Sequence, residues 1–378
     1  MKTNLHFLWR DRSAVERFQT GISLHSHTLY SEESLAFIPR YTAGVPLVAA
    51  AIAHQEKRYQ ALSGRPLDFG RAFWRPPLGP REAIELERQQ IRRLDLNPLV
   101  SLSDHDDIQA GHLLSVLEPD VPVSVEWTIP FGPTFFHIGV HHLPPQDAPA
   151  IQAELAAFTA QPSRARLLEL MAGLHSNRGI LIVLNHPMWD EARIGSVEHS
   201  QLLGRLMERC GEFIHALELN GLRPWAENRR VMWLAEQSGH PLISGGDRHG
   251  LEPNANLNLT NAATFAEFVA EIREDRASDV LFMPQYREPI QLRMIETMLD
   301  IVRDYPALPI GRRRWSDRVF YRKDDGSVQP LSALWQGDGP WPVKCFVRGV
   351  HAITSNPVRN TLRAVLGATQ SKAQEVSQ

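Results

Sequence analysis

Two stretches of this 378-residue chain place metal-ligand side chains two residues apart at the end of an apolar run. One is Gly21-Ile22-Ser23-Leu24-His25-Ser26-His27 and the other Pro241-Leu242-Ile243-Ser244-Gly245-Gly246-Asp247-Arg248-His249. On a strand, side chains two apart face the same way, so each pair can grip a cation from one side. Further ligand-type residues fall between them, most at the ends of comparable runs: Glu32, His105, Glu126, His137 and His186. Six imidazoles and three carboxylates with no thiolate suit zinc, manganese or iron rather than a structural cysteine site.

Something must bring these distant positions together. Short apolar runs at 21–24, 99–103, 121–125, 135–140, 180–184, 214–219 and 242–244 are separated in several places by helical periodicity, at 148–176, 200–210 and 228–238. The alternation predicts an α/β barrel with parallel strands, whose C-terminal rim collects the polar residues.

An excursion over 36–98 follows the first strand, with helical periodicity at 47–62 and 81–94 and a Pro- and Gly-bearing stretch, 65–77, that reads as an irregular loop. It leaves the barrel at the ligand end. Arg71, Phe73, Trp74 and Arg75 therefore form either a lid that touches substrate or an aromatic cluster that packs the insertion.

Arg248 sits between two inward-facing ligands, so strand alternation turns it away; its other reading is a phosphate clamp. Asp104, Asp106 and Asp107 either orient His105 or cap the next helix. Glu218 and Asn220 either hydrogen-bond at the barrel mouth or face solvent. Beyond residue 250, helical periodicity covers 263–273 and 290–303, and 311–315 and 336–342 read as connections. The polar tail from Gly367 is expected to fray. The expected division is a barrel over 1–254, including the inserted segment, and a mostly helical C-terminal extension over 255–378.

Composition narrows the classes. Acidic and basic residues nearly balance, 43 against 40, giving a net charge of −3 with no bulk positive field to attract nucleic acid. The two cysteines, Cys210 and Cys345, make no disulfide framework, and the charged N-terminus carries no signal-like apolar stretch. The expectation is a cytoplasmic protein with no membrane span.

Taken together, His25-x-His27, Glu32, Asp104-His105, Glu126, His137, Asn185-His186-Pro187 and Asp247-x-His249 resemble, in order, the motifs of the PHP family, the polymerase and histidinol phosphatase superfamily. The resemblance spans about residues 21–250. It implies a distorted seven-stranded barrel holding two or three divalent ions. His25, His27, Glu126 and Asp247 would bind the first, Glu126, His137 and His186 the second, and Glu32, His105 and His249 the third.

With three divalent ions, the three carboxylates would leave about +3, enough to balance a phosphate dianion and a hydroxide. The implied reaction is hydrolysis of a phosphate ester, most simply a small phosphomonoester, by a metal-activated water. The alternatives are a nuclease or phosphodiesterase that stacks bases on the rings of 65–77, and a metal-binding module without catalysis.

Overall fold

In the computed structural model, which describes residues 2–39, 46–335 and 339–353, the apolar runs become strands. In chain order these are β1 (Lys2–Phe7), β2 (Thr20–Ser23), β3 (Glu33–Ser34), β4 (Ala72–Trp74), β5 (Asn97–Val100), β6 (Val123–Phe131) and β7 (Thr134–Leu143). They continue with β8 (Leu181–Asn185), β9 (Ala216–Asn220), β10 (Leu242–Gly245), β11 (Asn256–Thr260), β12 (Ala277–Phe282), β13 (Val319–Arg322) and β14 (Val328–Pro330). The chain divides into two compact units, Met1–Ser31 with Leu78–Arg293, and Glu32–Pro77 with Met294–Gln378. The polar tail from Gly367 lies outside the described residues, as does part of 336–342.

The first unit is a mixed α/β body with two five-stranded sheets, ordered β1-β12-β11-β2-β5 and β10-β9-β8-β7-β6. β8 is buried along its whole length. Its Ile182 and Leu184 enter one core with Trp127, Ile138 and Leu217, while Leu181 and Val183 enter another with Ile22, Leu24 and Ile243. A strand covered on both faces reads as a continuous apolar run.

The segments that leave β2, β5 and β10 lie side by side, next to the first half of β6. Ser103 N–H donates to Ser26 O at 3.0 Å, and Asp247 N–H donates to His25 O at 2.7 Å. Glu126 N–H donates to Asp104 O at 3.0 Å. These bonds carry the ligand positions of four strands to one place.

The strands are not all parallel: β7 runs antiparallel to both β6 and β8, and β11 antiparallel to β2 and β12. Only Gly132 and Pro133 join β6 to β7, with Gly132 at φ 67°. A two-residue link reverses a strand and cannot make the crossover that a parallel pair requires.

The long helical stretch 148–176 is two helices, Ala148–Ala160 and Arg164–Ser176. The break falls at Gln161-Pro162-Ser163, where Ser163 Oγ accepts the Arg166 N–H at 3.3 Å as an N-cap.

The boundary of the first unit also differs from 254. β11 and β12 complete its first sheet, so it runs on to Arg293. The helix Pro80–Arg92 belongs to it as well, burying Ala83, Ile84, Glu87, Gln90 and Ile91 at helical spacing.

The second unit holds the antiparallel sheet β14-β13-β4-β3. The stretch 65–77 is thus only partly irregular: Asp68 caps a short 3-10 turn at Phe69–Arg71, and the next three residues pair with β13. Leu35, Trp74 and Val319 form its buried cluster. The partner strand lies more than two hundred residues along the chain, with Val319 opposite Trp74, so local turn signals could not show it. Among the described residues, no helix is long and apolar enough to cross a membrane.

Candidate metal centre

The first unit brings eight of the nine sequence-predicted ligands together around the buried carboxylate of Glu126. Its Oε2 lies 2.9 Å from His25 Nε2, 3.3 Å from His27 Nε2 and 3.2 Å from His105 Nδ1. Its Oε1 lies 3.1 Å from His186 Nε2 and 3.6 Å from His137 Nδ1. Asp247 Oδ1 approaches the same group, 3.7 Å from His25 Nε2, 3.5 Å from His27 Nε2 and 3.6 Å from His249 Nδ1.

The rings form a chain of neighbours. His27 stacks on His249 at 4.2 Å and on His105 at 4.7 Å, and His137 meets His105 at 4.7 Å and His186 at 5.2 Å.

Three triads have ligand atoms within 4.8 Å of one another: His25, His27 and Glu126; His25, His186 and Glu218; and His105, Glu126 and His137. His27, His105 and His249 are equally close. Nitrogen and oxygen donors at this spacing can share a cation between them. His25 Nε2 and Glu126 Oε2 are both buried and face each other at 2.9 Å, with no further hydrogen-bond partner among the described residues. Buried polar atoms are ordinarily satisfied, and a divalent cation would satisfy both.

Charge separation points the same way. Burial pushes the His25 imidazole down, but the carboxylates of Glu126, Glu218 and Asp247 outweigh it and hold it well above its ordinary value. Burial pushes Glu126 up, and the imidazoles of His25, His105 and His137 reverse this and hold it well below the usual range. Asp247 is likewise held low against burial, by His25, His27 and His249. Burial drives His137 well down, so it is a neutral imidazole with a lone pair available. The carboxylates are therefore kept ionised.

The backbone is strained where these ligands sit. His25 (φ 61°), His186 (φ 27°) and Asp247 (φ 57°) occupy left-handed conformations that non-glycine residues rarely adopt. Two glycines make room. A side chain at Gly245 would collide with the Glu218 carboxylate, and one at Gly246 with the Asn254 amide.

Glu218 is no solvated surface residue. It is buried at 1% exposure, with Oε1 2.5 Å from His25 Nδ1 and Oε2 accepting from the His186 N–H at 2.7 Å and Asn220 Nδ2 at 2.9 Å. The signal was present in Glu218-x-Asn220, two apart at the end of an apolar run.

Other supports carried weaker marks in the sequence. Asn185 Nδ2 donates to Glu126 Oε1 at 2.9 Å, and Ser31 Oγ accepts the His105 N–H at 3.1 Å. Arg223 places Nη2 3.5 Å from Asp247 Oδ2, with its guanidinium 3.6 Å from the Trp189 ring centre.

The acids beside His105 bind backbone and hydroxyl groups. Asp104 binds the Thr28 N–H and hydroxyl, Asp106 the Thr128 N–H, and Asp107 the Gln109 N–H, the last close to the capping alternative. Arg248 is no phosphate clamp: it is buried, with Nε 3.0 Å from Glu87 Oε1 and Nη groups donating to Gly250 O and His27 O.

Glu32 lies in the second unit, where Arg75 and Arg322 donate to its two carboxylate oxygens at 2.8 and 2.9 Å. Arg71 pairs there with Asp324. Trp74, the candidate substrate contact, is instead buried in the cluster with Leu35 and Val319, and Phe73 stacks on Phe320.

No family model matches the chain, and no curated protein matches it. Among solved structures, one similar to it is a two-domain protein from Bacteroides vulgatus containing a predicted PHP-like metal-dependent phosphoesterase, at 13% identity and TM-score 0.42 over 70% of this chain and 65% of that one. PsfC from Pseudomonas syringae is similar at 16% identity and TM-score 0.38, over 58% of this chain and 88% of the other. An amidohydrolase from Chromobacterium violaceum follows at 17% identity and TM-score 0.31, over 46% and 84%.

Proposed function

We propose that the first unit is a metal-dependent hydrolase of the PHP type, acting on a small phosphomonoester. The observation that supports this most is the convergence of His25, His27, His105, Glu126, His137, His186, Asp247 and His249 on one buried place around the Glu126 carboxylate. In this reading β2 and β5–β10 make up a distorted seven-stranded barrel, and Glu126, Asp247 and the six imidazoles around them would hold two or three divalent ions. Such ions, when bound, activate water and stabilise charge on phosphoryl oxygens.

The chain's own residues do the rest. Glu218 accepts the His25 Nδ1–H and so turns Nε2 into the centre. Asn185 and Asn220 hold Glu126 and Asp247 by their amides. Arg223, steadied on Trp189 beside Asp247, presents a guanidinium at the edge of the centre, where a substrate phosphate can be held in a two-pronged grip.

A panel of phosphomonoesters and phosphodiesters assayed with manganese, zinc and iron tests the reading. Turnover of monoesters, with Arg223→Ala raising KM more than it lowers kcat, is expected. Turnover of dinucleotides with none of monoesters would contradict it.

A further inference from the structure

The metal centre lies where β8 and β9 end; at the opposite ends of the same strands is a second cavity, of about 310 Å³. His175, Arg178, Glu212, His215, Arg273 and Arg276 line it. Its hydrogen-bonding sense can be read from the backbone outward. Ile182 N–H donates to His215 Nδ1 at 2.9 Å, so the His215 proton is on Nε2. That N–H points to His175 Nδ1 at 3.0 Å, which leaves the His175 proton on its own Nε2. The last N–H has no partner among the described residues. A relay that starts in a buried strand thus fixes His175 as a donor on the cavity wall.

The arginines add donors and charge. Arg273 is anchored, its guanidinium donating to the carbonyls of His175, Asn177 and Ile180 that close the helix Arg164–Ser176. Arg276, at φ 51°, donates to Gly239 O. Arg178 makes no side-chain bond among the described residues. Three guanidiniums therefore face a single carboxylate, Glu212, and His215, which burial pushes down to about 3, stays neutral.

We propose that this cavity binds a small phosphate-bearing ligand, independently of the chemistry at the metal centre. Guanidinium forks match phosphate oxygens. A monocarboxylate would leave half of the excess positive charge uncompensated, whereas a phosphate dianion neutralises it. The volume falls at the lower end of the range for small-molecule sites, roughly 300–1,000 Å³.

Titration calorimetry of the purified 378-residue chain with inorganic phosphate tests the proposal, with acetate as the comparison. The expected result is a phosphate-binding event that Arg178→Glu and, separately, His175→Phe each weaken at least tenfold, with metal content and melting temperature unchanged. Arg178 is exposed, so the first variant stands even if the second perturbs the His215 relay. Absence of phosphate binding, equal binding by wild type and Arg178→Glu, or acetate binding as tightly as phosphate would overturn it.

Discussion

His25 Nδ1 stands 2.5 Å from Glu218 Oε1, and both side chains are about 1% exposed. A carboxylate behind an imidazole fixes which ring nitrogen carries the proton and which one faces forward. Removing it leaves His25 free to rotate and to adopt the wrong tautomer. Glu218→Ala is expected to weaken metal affinity about 10–100-fold, and Glu218→Gln, which keeps an acceptor, to weaken it less. Competition with a metal-sensitive dye measures both. Equal affinities for wild type and Glu218→Ala would remove Glu218 from the site.

The Arg248–Glu87 pair sets up a test of architecture rather than chemistry. Both side chains are buried, at 3% and 0% exposure, and burial already pushes Glu87 above its usual range despite the guanidinium. Arg248→Met strands a buried carboxylate and should cost about 3–5 kcal/mol in urea unfolding. Adding Glu87→Gln should recover part of that loss. A variant that lost substrate affinity with full stability would restore the clamp reading.

Stability should fall on mild acidification for a reason that lies outside the metal centre. Burial holds His141 and His215 at about 3, whereas an unfolded histidine titrates near 6.5. Above about pH 6.5 both states are neutral and neither residue contributes to the pH dependence. Below it the unfolded chain takes up protons that the folded chain refuses, at up to about 1.4 kcal/mol per pH unit per residue, until pH approaches 3. His141 Nδ1 meets Ser101 Oγ at 2.8 Å. His141→Asn should therefore flatten the slope of unfolding free energy between pH 6.5 and 5, whatever it does to stability at neutral pH. An unchanged slope would mean that His141 is not buried neutral.

The ligand positions were readable because they obey local rules: most sit at or near the end of an apolar run, and His25-x-His27 and Asp247-x-His249 share the two-residue spacing of a strand. Strand direction was not readable at β7, because the Gly132-Pro133 turn lay inside what looked like ordinary spacing between runs. β1 and β12 were missed because Lys2–Phe7 finds its partner in Ala277–Phe282, far along the chain. Glu218 and Arg248 show the limit for single residues. Each is a charged side chain in a strong motif, and only burial and the facing partner decide whether it supports a ligand, as Glu218 does, or ties segments together, as Arg248 does.

Cation binding by the cluster around Glu126 is the property on which the proposed hydrolysis rests. Equilibrium dialysis against manganese, followed by elemental analysis, should find at least two ions per chain in the wild type, with loss of most bound metal in His25→Ala and Asp247→Ala, both folded by circular dichroism. A wild-type chain that retains no metal, or variants that retain all of it, would contradict the account.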